Sequence, residues 1–155
     1  MGAFVSAILV GIIYGKHMTL PFWGTLDALT PIFATLAIGL HLSHLAAGTA
    51  FGSPTDLPWG IQLWSATRHP TQLYELIASL VIFGLLWFRK SDPPQGILFL
   101  NFAALTAGSR LFLQAFRGDS TLVFGGLRLA QVIAWAALAV VLFARESLQW
   151  KKQAG

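Results

Sequence analysis

The sequence has no cysteine, so disulfide bonds, thiolate metal sites and a cysteine nucleophile are all excluded. Charge is scarce as well: 10 Lys and Arg with 6 Asp and Glu make up 10% of the 155 residues. Polar positions are almost missing from residues 76–88, where only Ser79 and Gly84 interrupt the apolar run, and from residues 132–144. A soluble helical bundle needs polar faces on its outer helices, so that class is set aside. The N-terminus lacks a basic stretch and a clear cleavage site, and no removable signal peptide is expected. There is no basic patch either. The net charge of +4 comes from residues scattered at segment ends, which argues against nucleic acid as a partner and suits anchoring in a bilayer.

What the chain does contain is apolar blocks. Hydrophobic residues reach 55%, with a mean hydropathy of +0.67, and they fall into five segments separated by short polar stretches. These are residues 2–14, 26–47, 70–88, 95–116 and 127–144. The expected fold is therefore all-α, a polytopic membrane helix bundle of about five transmembrane helices forming one domain over residues 1–155. The first segment is short: about 13 residues make roughly 20 Å of helix, against a hydrocarbon core of about 30 Å. Pro21-Phe22-Trp23 reads as an interfacial lead-in with Trp23 at headgroup level. Pro31 is expected near the start of the second helix, where its missing amide hydrogen costs least. Residues 48–69, with Pro54, Pro58, Trp59, Gly60 and Trp64, suit an ordered interfacial loop, and residues 118–126 read as a second loop. The tail, 145–155, is polar and basic, and no internal repeat is evident.

Five spans put the termini on opposite sides. Lys16, Arg89, Lys90, Arg145, Lys151 and Lys152 fall at one set of ends, and Arg68, Arg117 and Arg128 at the other. The basic excess marks the first set as cytoplasmic, which leaves the N-terminus and the 48–69 loop outside and the C-terminus in the cytoplasm.

Several residues in this frame could carry chemistry. Arg110 lies inside the fourth segment, roughly 10 Å of helix from Arg117. A charge at that depth costs several kcal/mol unless it snorkels, pairs or faces a wet cavity. Thr106, Arg110, Gln114 and Arg117 have spacings of four, four and three, so one continuous helix would place them on one face. Two readings stay open for Arg110: a snorkelling side chain, or a fork that clamps phosphate. Glu75 is its natural counter-charge, or simply an acidic residue in the first turns of a helix opened by Pro70. Arg68 and His69 read as interfacial anchors or headgroup contacts, and Tyr74 as an aromatic-belt residue or part of the same site. His41 and His44, three apart on one helix face, could be structural, contact lipid, act as a base, or ligate haem or chlorophyll. A two-histidine metal site finds little support, because no carboxylate or third histidine stands at helical spacing beside them.

Arg68-His69-Pro70-Thr71-Gln72-Leu73-Tyr74-Glu75, ahead of an apolar helix, resembles the signature of bacterial prolipoprotein diacylglyceryl transferases. Pro54-Thr55-Asp56-Leu57-Pro58-Trp59-Gly60 is similar to their preceding loop, and residues 108–117 to their later Gly-x-x-Arg-x-x-x-Glu-x-x-Arg helix. The resemblance implies transfer of the diacylglyceryl group of phosphatidylglycerol, an anionic phospholipid, to a lipobox cysteine thiol, with release of glycerol phosphate. It also implies a bacterial plasma-membrane location and no cofactor. Arginines would grip the phosphate, here Arg68, Arg110 and Arg117 with Gln114 and Tyr74 nearby. A base, His41, His44 or His69, with Glu75 also a catalytic candidate, would help form the thiolate, which is the reactive species.

The stretch His41-Leu42-Ser43-His44-Leu45-Ala46-Ala47-Gly48-Thr49 departs from the family's Arg-x-Gly-Asn-Phe-x-Asn-Gly-Glu, keeping only Gly48. Gln114 stands where the later helix has glutamate, and the family's earlier helices and His-Gly-Gly have no counterpart here. These losses fall on the phosphate clamp, since neutral histidine does not replace a permanent cation. They tilt the expectation toward a non-catalytic, phospholipid-binding relative that serves as a subunit of a larger membrane complex. The alternative is an active, shortened transferase, and a third reading is a pigment or haem subunit.

Overall fold

A computed structural model of the chain describes residues 2–63, 65–123 and 126–153; Trp64, assigned above to the interfacial loop, lies outside them. Each of the five apolar segments forms a helix: α1 Gly2–His17, α2 Phe22–Ala47, α3 Thr71–Trp87, α4 Ile97–Leu113 and α5 Leu129–Gln153. Two hairpins lie in the connections, β1 Ile61–Leu63 with β2 Ala66–Arg68, and β3 Leu122–Val123 with β4 Leu127–Arg128. Both are antiparallel, pairing Ile61 with Arg68 and Leu122 with Arg128 at their open ends. Loops were expected there. Pairing the backbone with itself is what a connection needs where water is limited.

Among the described residues, three helical stretches are long and apolar enough to cross a membrane: Phe22–Ala47, Ile97–Phe116 and Leu129–Trp150. α3 is apolar but has 17 residues, about 26 Å of helix, and is shorter than a bilayer core. α2 packs on α3 and α4, α3 on α4, and α4 on α5. The shared interior is small and made of close-packing side chains: Thr30 and Ala34 of α2, Ser79 and Ile82 of α3, Leu98 and Leu100 of α4, and Ala134 of α5. Leu36, Val81, Leu85, Phe112, Val140 and Phe143 all point outward and are more than half exposed. In water that exterior would be untenable. In lipid it is the solvated face, with small and hydroxylated residues kept for helix contacts.

Two boundaries change the expected picture. α2 begins at Phe22, so Trp23 sits in its first turn and Pro31 lies well inside the helix rather than near its start. Proline there removes the amide that would bond the Asp27 carbonyl. The Thr30 and Thr35 hydroxyls on either side donate back to the Leu26 and Pro31 carbonyls, at 2.9 and 2.6 Å, so both polar groups are satisfied within the helix. α5 runs past the apolar segment to Gln153, because Arg145, Glu146, Leu148 and Gln149 are all good helix formers.

Asp27 joins α2 to the start of α4. Its carboxylate accepts the Gly96 and Phe99 amides at 2.6 and 2.8 Å, satisfying two donors that the first turn of α4 leaves free. Gly96 is at φ 87 with Trp23 and Leu148 close by, so a side chain there would be strained in backbone and crowded in space. Asp27→Ala is expected to destabilise the bundle by about 1–2 kcal/mol, as losing a helix cap does. Thermal unfolding in detergent checks this, and a melting temperature equal to that of the unaltered chain would mean the cap holds nothing.

Candidate functional site

α2 ends at Gly48, whose φ of 63 closes the helix: the Gly48 amide bonds Leu45 and the Thr49 amide bonds His44. The chain then turns through Ala50, at φ 58, and is stapled to the start of α3. Thr71 donates to the Ala50 carbonyl at 2.7 Å and Gln72 to the Thr49 carbonyl at 2.9 Å, and both side chains are fully buried. Next, residues 51–55 run extended between two other stretches. Ser53 bonds Phe116 and His69 through the backbone, Gly118 bonds Phe51, and Thr55 bonds Thr67. Gly52 is needed at this crossing, because a Cβ there would come within 2.3 Å of the His69 carbonyl oxygen. The pattern brings the two ends of the chain's polar loops together beneath Glu75.

Glu75 is 6% exposed and sits in the early part of α3. Its Oε1 accepts from Arg117 Nη1 at 3.2 Å, and its Oε2 lies 3.2 Å from His41 Nδ1 on α2. Arg117 turns its other edge to Asp119, donating from Nε and Nη2 at 2.9 and 2.8 Å. Burial alone would lower the Arg117 pKa, but hydrogen bonding to Asp119 and the charges of Glu75 and Asp119 outweigh it, and the pKa is raised. The guanidinium is therefore a fixed cation at every pH in which the protein is handled.

Between α3 and α4 lies a crevice lined by His41, Glu75, Ser79, Thr106, Ser109 and Arg110, together with apolar side chains, with about 340 Å³ of empty space including its open mouth. Arg110 is exposed at this crevice and, unlike Arg68 and Arg117, makes no hydrogen bond or ion pair with the described residues. The expected ion pair between Glu75 and Arg110 is thus replaced by one between Glu75 and Arg117. The expected shared face of Thr106, Arg110, Gln114 and Arg117 is also broken. α4 stops at Leu113, residues 114–116 tighten into a 3₁₀ turn, and Arg117 is extended. The 3.6-residue period that would have aligned them does not continue.

The remaining candidates have other surroundings. Arg68 donates to the Gly52 carbonyl at 3.3 Å and lies over the Phe51 ring, 5.0 Å from its centroid. His69 packs against Phe116 and Tyr74, and the Tyr74 hydroxyl accepts from Trp59 Nε1 at 2.9 Å. Gln114 is buried and donates to Ser120 at 2.8 Å, while its backbone carbonyl accepts from Arg128 at 3.0 Å. His44 stands edge-on to His41, ring centroids 6.0 Å apart. The sequence reading found no carboxylate beside this histidine pair; Glu75 arrives from α3, and ligand atoms of His41, His44 and Glu75 lie within 4.8 Å of one another. Asp119, Thr71 and Gln72 were not singled out from sequence as site residues, and no local signal marks Asp119, whose role comes from Arg117 alone.

These features define a polytopic membrane helix bundle with a buried carboxylate–guanidinium cluster at one end and, in the adjoining interhelical crevice, an arginine unpaired among the described residues. A family model described as prolipoprotein diacylglyceryl transferase matches residues 1–145. The chain belongs to that family. Curated relatives, each named phosphatidylglycerol–prolipoprotein diacylglyceryl transferase, include those of Acaryochloris marina (31% identical, over 90% of this chain and 55% of the relative), Nostoc (34%, 91% and 56%) and Clostridioides difficile (36%, 86% and 54%). The chain thus spans about half the length of the curated relatives it matches.

Arg117→Ala strands the Glu75 carboxylate in a buried position, and a loss of about 3–5 kcal/mol is expected, the usual result of breaking a buried ion pair from one side. Adding Glu75→Gln should recover part of that loss, because it removes the stranded charge. A double-mutant cycle on thermal unfolding checks both. Additive losses in the double variant would mean that the two side chains do not act as a pair.

Proposed function

We propose that this chain handles an anionic phospholipid in the crevice between α3 and α4 and takes part in diacylglyceryl transfer from phosphatidylglycerol to a prolipoprotein cysteine. The observation that carries the reading is Arg110, a guanidinium with no ion pair at the mouth of a crevice lined by His41 and Glu75. A fork of that kind takes phosphate oxygens in pairs and keeps its charge at any working pH. The relatives quoted above are all named as transferases, which favours the active reading over a non-catalytic lipid-binding subunit.

In this reading Arg110 holds the headgroup phosphate and stabilises it as it leaves. The acceptor thiol loses its proton to a base, His41, His44 or His69, and the sulfur attacks the glyceryl carbon. The carbon–sulfur bond forms as the carbon–oxygen bond to phosphate breaks, and glycerol phosphate departs with the electron pair. Arg117 serves by holding Glu75, which lines the crevice wall. Arg68, already bonded to Gly52, lies in the same loop layer. The whole chain acts as one membrane domain, with the end carrying Arg68, Arg117 and Arg128 outward and the C-terminus cytoplasmic.

The test is turnover of labelled phosphatidylglycerol with a lipobox peptide by the purified protein, repeated with Arg110→Ala. Loss of a charge-assisted phosphate contact worth about 1.5–3 kcal/mol should slow the reaction roughly 10–150-fold. Turnover indifferent to Arg110 would overturn the clamp. Tight phosphatidylglycerol binding with no thioether product would restore the non-catalytic reading.

A further inference from the structure

We propose that His41, His44 and Glu75 form a binding site for one divalent transition-metal ion of the Zn²⁺ class. The two histidines are three apart on α2, and Glu75 faces them from α3. An i, i+3 pair with a ligand from a facing helix is an established way to build a metal site inside a bundle. Imidazole and carboxylate are the donors such ions prefer.

Three features of the geometry point to a cation there. First, Glu75 is more than nine-tenths buried, and among the described residues Glu75 Oε2, His41 Nδ1 and His44 Nδ1 are all buried without an aligned hydrogen bond. His41 Nδ1 and Glu75 Oε2 are 3.2 Å apart, inside ion-pair range, yet not aligned as a hydrogen bond. Two ligands of a tetrahedral ion at bond lengths of about 2.0–2.1 Å stand about 3.3 Å apart, so this pair is already at chelating separation. His44 completes the group, with a ligand atom within 4.8 Å of the other two.

Second, the charges do not balance. Glu75 and Asp119 are two carboxylates sharing one guanidinium, Arg117, which leaves one negative charge over on that trio. Arg117 contacts Oε1, so the excess is presented at Oε2, the oxygen turned to the histidines. Third, the carboxylate is oriented in advance. The bond from Arg117 to Oε1 is the outer-shell contact that fixes a metal-binding carboxylate. Ser79, Thr106, Ser109 and Arg110 line the crevice beside the cluster. Arg110 is the one cation among them that opposes the site, and it is exposed with no contact holding it inward.

The inference does not rest on the transfer reading, and its test involves no turnover. The full chain, purified in detergent with any affinity tag removed, is stripped with a chelator and dialysed against Zn²⁺, and bound metal is counted by mass spectrometry. One equivalent per chain is expected, with Co²⁺ giving the visible ligand-field bands of a four-coordinate site. His44→Ala should weaken binding roughly 100-fold or more, beyond the 10–100-fold that outer-shell changes cause. Because the buried His44 Nδ1 makes no hydrogen bond, this variant is expected to stay folded, which helicity by circular dichroism checks. Glu75→Gln should likewise abolish the cobalt bands. The proposal is overturned if the unaltered chain retains less than about one tenth of an equivalent. It is equally overturned if the equivalent survives His44→Ala, since the metal would then sit elsewhere.

Discussion

The buried ion pair between Glu75 and Arg117 is the constraint around which this molecule is arranged. A lone carboxylate in an apolar bundle costs several kcal/mol, so its partner has to be delivered by the fold. That requirement explains why α4 ends in a tight turn and why residues 51–55 are sandwiched between two other backbone stretches. It also explains the polar residues in the early part of α3: Thr71 and Gln72 hold the loop that follows α2, and Glu75 collects the loop that follows α4. One end of the bundle is thus fastened by polar bonds, while the other depends on Asp27 capping α4.

Between those two ends the helices meet through small and hydroxylated side chains, Thr30, Ala34, Ser79 and Ala134, beside a few aliphatic ones, Ile82, Leu98 and Leu100, while many bulky residues turn outward. This inversion of a soluble core follows from the solvent. Lipid rewards no hydrophobic contact between helices, so close approach and hydrogen bonding decide which faces meet. The crevice beside Glu75 is the place where that rule is broken, with an unpaired guanidinium at its mouth and three hydroxyl-bearing residues along it. A polar gap between apolar helices is expensive, and such gaps mark function in membrane proteins.

The two histidines of α2 give this family member its own character. By the resemblance described above they stand where the family pattern has arginine and asparagine, and they present imidazole nitrogens instead. Facing Glu75, they form a set whose chemistry differs from that of a simple phosphate clamp. Arg110 lies along the same crevice, without an ion pair among the described residues.

Hydropathy alone located all five helices, because a bilayer demands uninterrupted apolar runs and each run here is bounded by proline, glycine or charge. The helix stop at Gly48 and the helix start beside Pro70 were also legible, since both depend on backbone preferences of single residues. What spacing could not show was who partners whom. Arg110 and Arg117 looked like neighbours on one helix face, but periodicity holds only while the helix lasts, and α4 ends between them. Glu75 finds Arg117 at a separation of 42 residues, and Asp27 finds Gly96 at 69, through packing that no local pattern encodes. The sequence by itself determined the helices and the solvent they require, while the two hairpins appeared only with the fold. Only the tertiary structure decided which buried charges neutralise one another, because that depends on how separate helices come together.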